Sequence, residues 1–360
     1  MRLFQNSTIS PSYRTRLYRL SRAARTFHER LAVFLDDRYG ASHFLQPVLE
    51  QHPEAFFTNG DDPLLQLAWG REHGMRAGES LPAILLAQIE EHCAEVFYTL
   101  DPIHYGGSFV RRLPGCVKHS VCWRAAPSPG IDLTGFDLLV CNFPGILEGW
   151  RAEGRRAAYF TPAHDPAMEG AGTGDRPVDV VFVGGYSRHH RNRAAVIEAV
   201  AGLASRYEVQ LCLDRSRMTR LAETPLGMFP PLRRHRRPRA VRVHSSGPVF
   251  GRALYELVSR SKIVLNGAID MSGEDRGNMR CFEALGCGAL LLSDRGRYPE
   301  GFTPGENMIT YGTAQDAADQ VVRHLADQET SRRIAAAGAE MIRSKYSKAA
   351  QWKNFRELIE

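Results

Sequence analysis

Two acidic side chains and an arginine in the stretch 272–294, SGEDRGNMRCFEALGCGALLLSD, could bind a ligand that is rich in hydroxyl groups. Asp275 and Glu283 lie eight residues apart, with Arg280 between them. Glu283 stands among apolar residues of a short predicted helix, so its carboxylate needs hydrogen-bonding partners, and the hydroxyls of a ribose would serve. A second set of hydroxyls would suit Asp275 or Glu274. Arg280 could neutralise the charge of a phosphate.

Two glycines in the segment VDVVFVGGYSRHHRNR predict a place where an anion can approach the backbone. Gly184 and Gly185 follow a predicted buried strand and precede a predicted helix, whose first N–H groups are available to a ligand. The side chains around that end include Arg188, His189 and Arg193. A diphosphate would fit here, although a tight strand-to-helix turn bordered by surface arginines has the same pattern.

A third segment, VRVHSSGPVFGRALYELV, also joins a predicted strand to a helix. Phe250 and Gly251 follow its Gly-Pro turn, where an aromatic ring and free backbone groups could hold a nucleobase. A packed turn would be equally consistent with this pattern. Because each of the three segments ends a strand or begins a helix, we expect them to converge on one cleft.

Polar residues in the first half of the chain are candidates for proton transfer. Asp101 and His104, in YTLDPIHY, would supply a general base if the reaction needs one. Further acidic or amide residues are expected at the ends of neighbouring strands: Asp36, Asp37, Asn59 and Asp61. Ordinary loop polarity explains any one of these residues equally well.

Alternating strand and helix patterns must position all of these residues. The alternation predicts parallel sheets covered by helices on both faces, an α/β fold of two doubly wound halves. The stretches 30–37, RLAVFLDD, and 240–246, AVRVHSS, are interpreted as strands. Ligands of such sheets bind beyond the carboxyl ends of the strands, so we expect a cleft between the two halves.

Changes of composition predict the boundaries of the domains. We expect a first domain over 1–163, which begins with an amphipathic helical lead over 1–31. The Gly- and Pro-rich stretch 164–177 is interpreted as an interdomain linker. A second domain follows over 178–344, and a terminal helix over 345–360 is expected to cross back to the first domain.

Composition and cysteine usage favour a globular protein of a reducing compartment. The 360 residues are 43% hydrophobic and 24% charged, which is ordinary for a chain long enough for two domains. Seven cysteines without a CxxC pair indicate free thiols rather than a disulfide framework or a zinc site. The sequence shows no apolar run of bilayer length and no apolar signal-peptide core, so a cytoplasmic location is expected.

The net charge of +6 suits an anionic ligand, nucleic acid or anionic lipid. Arginines cluster in residues 231–242, PLRRHRRPRAVR, without interleaved aromatic residues, and no nucleic-acid partner is expected. The basic amphipathic stretch 13–31 matches a membrane-surface helix or a helix packed on the first domain. Peripheral contact with an anionic membrane therefore stays open, beside the simpler interpretation of a solvated loop and a packed helix.

The motifs above resemble those of a known enzyme family. Asp275-x7-Glu283 is similar to the acid-x7-acid motif of retaining GT-B glycosyltransferases, although most family 4 enzymes carry Glu at the first position. RCFEALGCGALLLSD and the residues after it resemble the group 1 glycosyltransferase domain, in particular its CgeB-like branch. That branch also has segments similar to residues 182–193 and 247–251. The likeness covers about two thirds of the chain.

This resemblance implies a GT-B fold, in which two Rossmann-like domains face each other across a cleft. The first domain would bind the acceptor and the second a nucleoside-diphosphate sugar, for a hexosyltransferase-like reaction that retains configuration and needs neither metal nor other cofactor. Glu283 would anchor the ribose, while Asp275 would face the donor sugar. The implied catalytic residues are Asp101, His104 and Asp275, and the donor-binding residues are Gly184, Gly185, Arg188, His189, Arg193, Phe250, Gly251, Asn278, Arg280 and Glu283.

Three other functions compete with this interpretation. A GT-B-shaped protein could bind a nucleotide sugar without transferring it, and Asp275 in place of Glu is the feature that favours this. A basic nucleic-acid-binding protein could use residues 231–242. A nicotinamide oxidoreductase is disfavoured because no GxGxxG fingerprint follows a predicted strand.

Overall fold

The computed structural model divides into two compact units. One unit contains Met1–Ala163 and Ser347–Glu360, and the other contains His164–Tyr346. The residues that the structure describes are 1–126, 129–171, 174–187, 189–269 and 273–360. None of the helices within these ranges is long and apolar enough to cross a membrane.

The first unit is built on a parallel sheet. Its described strands are β1 (Leu3–Ser7), β2 (Ala55–Asn59), β3 (Val96–Thr99), β4 (His119–Trp123), β5 (Leu138–Cys141) and β6 (Ala157–Tyr159). They lie in the order β2-β1-β3-β4-β5-β6. The helices around them are α1 (Pro11–Leu20), α2 (Phe27–Asp37), α3 (Gln46–Leu49), α4 (Pro63–Glu72), α5 (Leu81–Glu91), α6 (Gly107–Val110) and α7 (Pro144–Ala152).

The N-terminal residues form a strand inside this sheet rather than the start of a helical lead over 1–31. All five residues of β1 are buried. Its polar side chains are satisfied there, because Gln5 Nε2 donates to the His43 carbonyl at 3.0 Å and Asn6 Nδ2 donates to Thr99 Oγ1 at 3.0 Å. Hydrogen-bonded polar residues inside a strand hide the apolar pattern by which a strand is usually recognised.

The prediction of a strand over 30–37 is wrong, because these residues belong to α2. A capping box starts that helix: the Thr26 side chain accepts from the Glu29 N–H, and the Glu29 carboxylate accepts from the Thr26 N–H. Phe27 and Phe34 form its buried face. Among the apolar residues of 30–37, Phe34 is buried and the others are half-buried or exposed, so the stretch has one buried helix face and no strand-like alternation.

The first helix packs on the unit to which it belongs. Tyr13 and Leu17 of α1 are buried. Arg14 lies 3.3 Å from Asp61, and Arg16 lies 2.6 Å from an oxygen of Asp37. Of the two interpretations of the basic stretch 13–31, the helix packed on the first domain therefore describes α1. The buried residues of α1 pack within this unit, and two of its arginines form ion pairs there.

The second unit repeats the architecture. Its described strands are β7 (Val178–Gly185), β8 (Val209–Asp214), β9 (Ser245–Ser246), β10 (Ser261–Leu265), β11 (Leu290–Asp294) and β12 (Ile309–Tyr311). They are parallel and lie in the order β12-β11-β10-β7-β8-β9. The helices are α8 (Arg191–Ala201), α9 (Arg217–Ala222), α10 (Arg239–Val243), α11 (Gly251–Ser259), α12 (Met279–Gly286), α13 (Ala314–Ala326) and α14 (Gln328–Lys345).

Apolar layers cover both faces of this second sheet. Val180 lies in a cluster with residues of α8 and α13, and its neighbour Val181 lies in a different cluster with residues of α11 and α12. Successive side chains of a strand point to opposite faces, so the two clusters lie on the two sides of the sheet. The predicted doubly wound α/β architecture is confirmed.

The predicted strand over 240–246 is mostly helical. Arg239–Val243 form α10, where only Val241 is buried, and the strand β9 contains only Ser245 and Ser246. A strand over the whole stretch would bury alternate residues on one face. Because Val243 is 66% exposed, the stretch offers no such face.

The segment 164–177, expected to be a linker, packs on the second unit. Met168 is 1% exposed and belongs to the cluster that contains Val181. Arg176 donates to the carbonyl oxygens of Ser261 at 2.7 Å and Cys287 at 3.0 Å. The Gly and Pro content of the segment indicated a linker. The contacts of Met168 and Arg176 instead hold its described residues on the second unit.

The C-terminal residues return to the first unit as α15 (Lys348–Ile359). Lys348 is buried, and its Nζ donates to the carbonyl oxygens of Ala41 and Phe44 at 2.7 Å each. Phe355 is fully buried and lies 4.9 Å from the ring of Tyr98 on β3. A buried ammonium group that has carbonyl acceptors, together with an aromatic contact, holds α15 on this unit.

Candidate active site

An arginine lies where the carboxyl ends of the central strands of the second sheet meet. A Cβ atom on Gly184, at the end of β7, would come within 2.7 Å of Arg193 Nη2, and one on Gly267, after β10, would lie 3.6 Å from Arg193 Cγ. The guanidinium lies 5.4 Å from the centre of the Phe182 ring. Glycine at 184 leaves the space that the guanidinium needs. Because this edge of an α/β sheet binds ligands, Arg193 is placed to meet an anion.

A second cation, Arg276, lies close to the ends of β10 and β11. Its Nε is 2.6 Å from Asp294 Oδ2, and its Nη1 donates to the Gly273 carbonyl at 2.8 Å. Asp294, which ends β11, also accepts from the Ala268 N–H at 3.1 Å. Arg276 was not predicted as a site residue, although its position directly after Asp275 in the acidic loop was an available signal.

Amide hydrogen bonds fix the start of α12 to the end of β10. Asn278 Nδ2 donates to Asn266 Oδ1 at 3.3 Å, and Asn266 Nδ2 donates to Ser293 Oγ at 3.0 Å. The Tyr311 hydroxyl donates to the Asn266 carbonyl at 2.7 Å. These bonds join three strand ends to α12, so they position the helix that carries Glu283. Asn278 thus has a clear structural role within the predicted donor site.

Glu283 is a buried carboxylate that is only partly paired. It is 2% exposed, and its Oε2 lies 2.5 Å from Arg280 Nη1. Its other oxygen, Oε1, has no hydrogen-bond partner among the described residues. Burial raises the pKa of Glu283, with the Arg280 guanidinium opposing the shift and the Asp165 carboxylate adding to it. A buried acid with an unused oxygen is suited to accept hydrogen bonds from the hydroxyls of a ligand.

A second buried acid, Asp165, belongs to the same cluster. It is fully buried, and its Oδ1 accepts from the Ala167 N–H at 3.1 Å. Burial raises the pKa of Tyr255, and the neighbouring carboxylates of Asp165 and Glu283 raise it further. Asp165 was not predicted as a site residue because it lies in the stretch that was interpreted as a linker. The available signal was an acid directly before a proline, which is a helix-start pattern.

Asp275 is held by Arg297. It is 4% exposed, and its Oδ1 accepts from Arg297 Nε at 2.8 Å and lies 2.7 Å from Arg297 Nη2. The two backbones are also bridged, since the Arg297 N–H donates to the Glu274 carbonyl at 2.7 Å. Asp275 is therefore paired with Arg297, a residue that was not predicted to belong to the site.

The remaining predicted donor residues surround the starts of α8 and α11. Gly185 is exposed at the end of β7, and His189 is exposed before α8. Phe250 is half-buried directly before α11, and Gly251 has a φ of 61°, a conformation that favours glycine. Arg188 lies outside the described residues. No described side chain caps either helix start, so backbone N–H groups there remain suited to an anion.

The predicted bases of the first unit form a pair. His104 Nδ1 lies 2.7 Å from Asp101 Oδ2, and the His104 backbone N–H donates to Asp101 Oδ1 at 3.2 Å. The Asp101 side chain is 2% exposed, whereas the His104 side chain is 58% exposed. A buried carboxylate that accepts from Nδ1–H leaves Nε2 of the ring as the basic nitrogen. This geometry suits general-base catalysis.

The other first-half candidates differ in position. Burial raises the pKa of Asp61, and the nearby Asp101 carboxylate contributes to the shift. Asp36 and Asp37 belong to α2 and do not end a strand; Asp36 is exposed, and Asp37 is bonded to Arg16. Asn59 ends β2 as expected, and its fully buried amide has no hydrogen-bond partner among the described residues.

The site residues therefore form one group in each unit. In the second unit the structure brings Arg193, Arg276, Asn278, Arg280 and Glu283 to the carboxyl edge of the sheet or to the helix beside it. In the first unit it joins Asp101 to His104. Within the described ranges, no group of three or more His, Cys, Asp or Glu side chains has the arrangement of a metal site.

Two comparisons with known proteins concern the family and the fold of this chain. Residues 216–357 match a protein-family model described as glycosyl transferase-like, a range that contains Phe250, Asp275 and Glu283. No curated protein sequence is significantly similar to the chain. Many solved structures are similar.

Three of these structures are similar over nearly the whole chain. HepE from Anabaena, crystallised in complex with UDP-glucose, gives a TM-score of 0.56 at 14% identity over 98% of both chains. Sucrose-phosphate synthase from Thermosynechococcus elongatus gives 0.56 at 13% identity over 99% of this chain and 98% of that one. A glycosyltransferase from Rickettsia africae gives 0.56 at 10% identity, again over 99% and 98%.

At these identities the structural likeness establishes the fold. Two parallel sheets, each flanked by helices, match the two Rossmann-like domains of these solved structures. The predicted GT-B fold is thus confirmed: the chain has the fold of nucleotide-sugar glycosyltransferases, and its residues 216–357 resemble a glycosyl transferase-like family.

Proposed function

We propose that this protein is a glycosyltransferase that moves a sugar, a hexose by the resemblance stated above, from a nucleoside diphosphate to an acceptor. The observation that supports it most is Glu283, a buried acid with one oxygen unused, within the part of the chain that matches the glycosyl transferase-like family. The UDP-glucose complex of HepE, a protein of the same fold, is consistent with such a donor.

The donor would be bound by the second unit. The Glu283 carboxylate would accept from the ribose hydroxyls, and Phe250 would lie against the base. Arg193, together with the uncapped start of α8, would bind the diphosphate. As the diphosphate leaves, it gains negative charge, and aimed cations and N–H groups stabilise that charge without a metal. We assign this role to Arg193 and Arg276.

The proposed reaction retains configuration, as in the family 4 and CgeB-like enzymes that the sequence resembles. A retaining transfer of this kind needs no strong protein base, and Asp275 would orient the donor sugar. An inverting transfer is the second candidate, and the Asp101–His104 pair favours it. In that reaction His104 Nε2 would remove the proton of an acceptor hydroxyl.

Two measurements test the proposal. A thermal-shift screen of nucleoside diphosphates and their sugars should find one nucleotide that raises the melting temperature, because a ligand stabilises the state that binds it. The product formed from that donor, analysed by NMR, then gives the anomeric configuration and separates retention from inversion. If no nucleotide raises the melting temperature, the protein does not bind a nucleotide sugar and the proposal fails.

A non-catalytic nucleotide-sugar-binding protein is the main alternative. The Asp275–Arg297 ion pair favours it, because a paired carboxylate is less free to contact a sugar. A donor that raises the melting temperature but is neither transferred to acceptors nor hydrolysed would support binding without turnover.

A further inference from the structure

Residues 215–243, which lie between β8 and β9, form a strongly basic insertion. They contain nine arginines and a single acidic residue, Glu223, and no lysine or aspartate. The insertion therefore carries a net charge of +8, while the whole chain carries +6, so the remaining residues together carry −2. The positive charge of the protein is concentrated in this one surface element.

The insertion has a defined internal structure. Arg237 is 3% exposed and binds Glu223 through Nε at 2.5 Å and Nη2 at 3.0 Å. Arg236 Nη1 donates to the carbonyl oxygens of Ala222 at 2.9 Å and Thr224 at 2.8 Å. A side chain at Gly227 would overlap the Ala222 carbonyl oxygen. These contacts hold α9 and the two short 3₁₀ helices that follow it, Pro225–Met228 and Leu232–His235, in one arrangement.

This structured element exposes large apolar side chains. Three of them are close together in sequence: Leu226 is 58% exposed, Met228 is 67% exposed and Phe229 is 65% exposed. We call these three residues the apolar tip. Further exposed apolar residues of the insertion are Met218, Leu221 and Val243. Contiguous exposed apolar residues bordered by charge mark a surface that contacts a partner or a membrane.

A cationic hollow follows the apolar tip directly. Its volume is about 650 Å³, and its lining residues are Pro230, Pro231, Arg233, Arg234, Arg236, Arg237 and Pro238. Arg233 and Arg234 are exposed. The tip and the hollow thus place apolar side chains and unburied guanidinium groups side by side, which is the composition of surfaces that lie at the boundary between lipid head groups and acyl chains.

The apolar tip distinguishes a membrane from the other anionic partners that arginines attract. Single-stranded nucleic acid is bound by aromatic platforms among basic residues, and Phe229 is the one aromatic residue in the insertion. A soluble phosphate would need the arginines but would leave Leu226 and Met228 in water. An anionic bilayer accommodates both, because its surface attracts the arginines and its acyl region takes up the apolar side chains.

We propose that the insertion 215–243 docks the protein on the surface of an anionic membrane, with the apolar tip in the lipid and Arg233 and Arg234 on the head-group phosphates. This proposal is independent of the donor reaction, because membrane binding can be measured without nucleotide. A glycosyltransferase held in this way would act on acceptors at the membrane surface.

Co-sedimentation with vesicles tests the proposal. The intact protein should sediment with vesicles of phosphatidylglycerol and phosphatidylcholine, and much less with pure phosphatidylcholine. Because one basic residue near an anionic surface changes affinity about 5-fold, Arg233→Gln with Arg234→Gln should weaken binding about 25-fold. Leu226→Ser, Met228→Ser and Phe229→Ser together should weaken it by about 10-fold or more without any change in charge.

Matched variants control for general effects of charge and apolar surface. Arg332→Gln with Arg333→Gln removes the same charge from exposed positions of α14. A second control replaces the same number of exposed apolar residues on the first unit: Leu20→Ser, Leu64→Ser and Leu67→Ser. These leucines are 41%, 40% and 40% exposed. Both controls should bind vesicles as the unmodified protein does, and thermal unfolding shows whether each variant is folded.

Two results would overturn the proposal. One is equal sedimentation of the unmodified protein and a folded variant without the apolar tip, which would leave only non-specific attraction by charge. The other is tight binding of a single-stranded oligonucleotide that depends on Arg233 and Arg234 while vesicles bind weakly, which would identify nucleic acid as the partner.

Discussion

Replacing Glu283 by glutamine removes the charge of a buried carboxylate and keeps the shape of the side chain. In the ligand-free protein the cost should be small, about 1 kcal/mol, because the amide oxygen can still accept from Arg280 Nη1. Burial already favours the neutral form of this acid, as its raised pKa indicates. The main effect should therefore appear when the nucleotide binds.

The expected loss of nucleotide affinity follows from the proposed contacts. A hydrogen bond to a charged group contributes about 1.5–3 kcal/mol and a neutral one about 0.5–1.5 kcal/mol, so each ribose hydroxyl loses about 1 kcal/mol when the carboxylate becomes an amide. Two hydroxyls lose about 2 kcal/mol together. Since 1.4 kcal/mol is tenfold, Kd should rise about 30-fold.

In a thermal-shift titration, this loss of affinity appears as a smaller rise in Tm on addition of nucleotide. A nucleotide at about 100 times Kd stabilises the protein by about 2.7 kcal/mol, and for a unit of the size of His164–Tyr346 each kcal/mol raises Tm by about 2–4 °C. The unmodified protein should therefore shift by about 5–10 °C. At the same nucleotide concentration, Glu283→Gln is at about 3 times its Kd, and its shift should fall to about 2–3 °C.

The control is Glu306→Gln, the same chemical change at an exposed position of the second unit. It should shift as the unmodified protein does. If folded Glu283→Gln, with a ligand-free Tm lowered by no more than about 4 °C, also shows the full shift, then the carboxylate does not contact the ribose and the assignment of the donor site is wrong.

Three further predictions concern pH, catalysis and the backbone. The folded state binds the Glu283 proton more tightly than the unfolded state, so the free energy of unfolding of the ligand-free protein should fall as pH rises from about 4.3 through the raised pKa. Urea titrations at several pH values measure this dependence, and Glu283→Gln should flatten it over that range. A dependence on pH that is the same in Glu283→Gln and in the unmodified protein would contradict this prediction. An inverting reaction predicts that His104→Gln lowers kcat about 100- to 10,000-fold with little change in Tm, whereas in a retaining reaction kcat should change by less than about tenfold. Gly251→Ala should destabilise the protein by about 1–2 kcal/mol in urea unfolding because φ is 61° there, while Gly149→Ala in α7 should be neutral or stabilising by up to about 1 kcal/mol; equal effects would rule out backbone strain at 251.

The repeating architecture was predictable because it depends on apolar runs. Strands such as β7 and β11 are buried on both faces, so their apolar residues are continuous in sequence and flanked by helices with a clear period. The strand β1 was not predictable in this way, since Gln5 and Asn6 are polar and are satisfied by hydrogen bonds to residues far along the chain. The pattern of a single segment does not contain those partners.

The residues of the candidate site also differ in whether the local sequence could predict them. Glu283 and Arg280 were singled out because the acidic loop and the short apolar helix that contain them are continuous in sequence, and the structure shows that they pair with each other, three positions apart on one helix turn. Arg297 and Asp165 were missed, since the former approaches Asp275 from 22 residues away and the latter approaches Glu283 from a segment that reads as a linker. Contacts of this kind depend on the packing of the fold and not on local spacing.

The composition of the Glu283 cluster connects ligand binding with the stability of the second unit. Asp165 and Glu283 are two buried carboxylates, and Arg280, 17% exposed, pairs with Glu283. Each buried charge must regain through its partners the solvation that it has lost, and one carboxylate oxygen of Glu283 has no such partner among the described residues. An apolar side chain at 283 would remove the buried charge, although Arg280 would then lose its carboxylate partner. That the position nevertheless carries an acid is understandable if a ligand with hydroxyl donors completes the cluster, because the donor would then contribute both the missing hydrogen bonds and the stability that the free unit lacks.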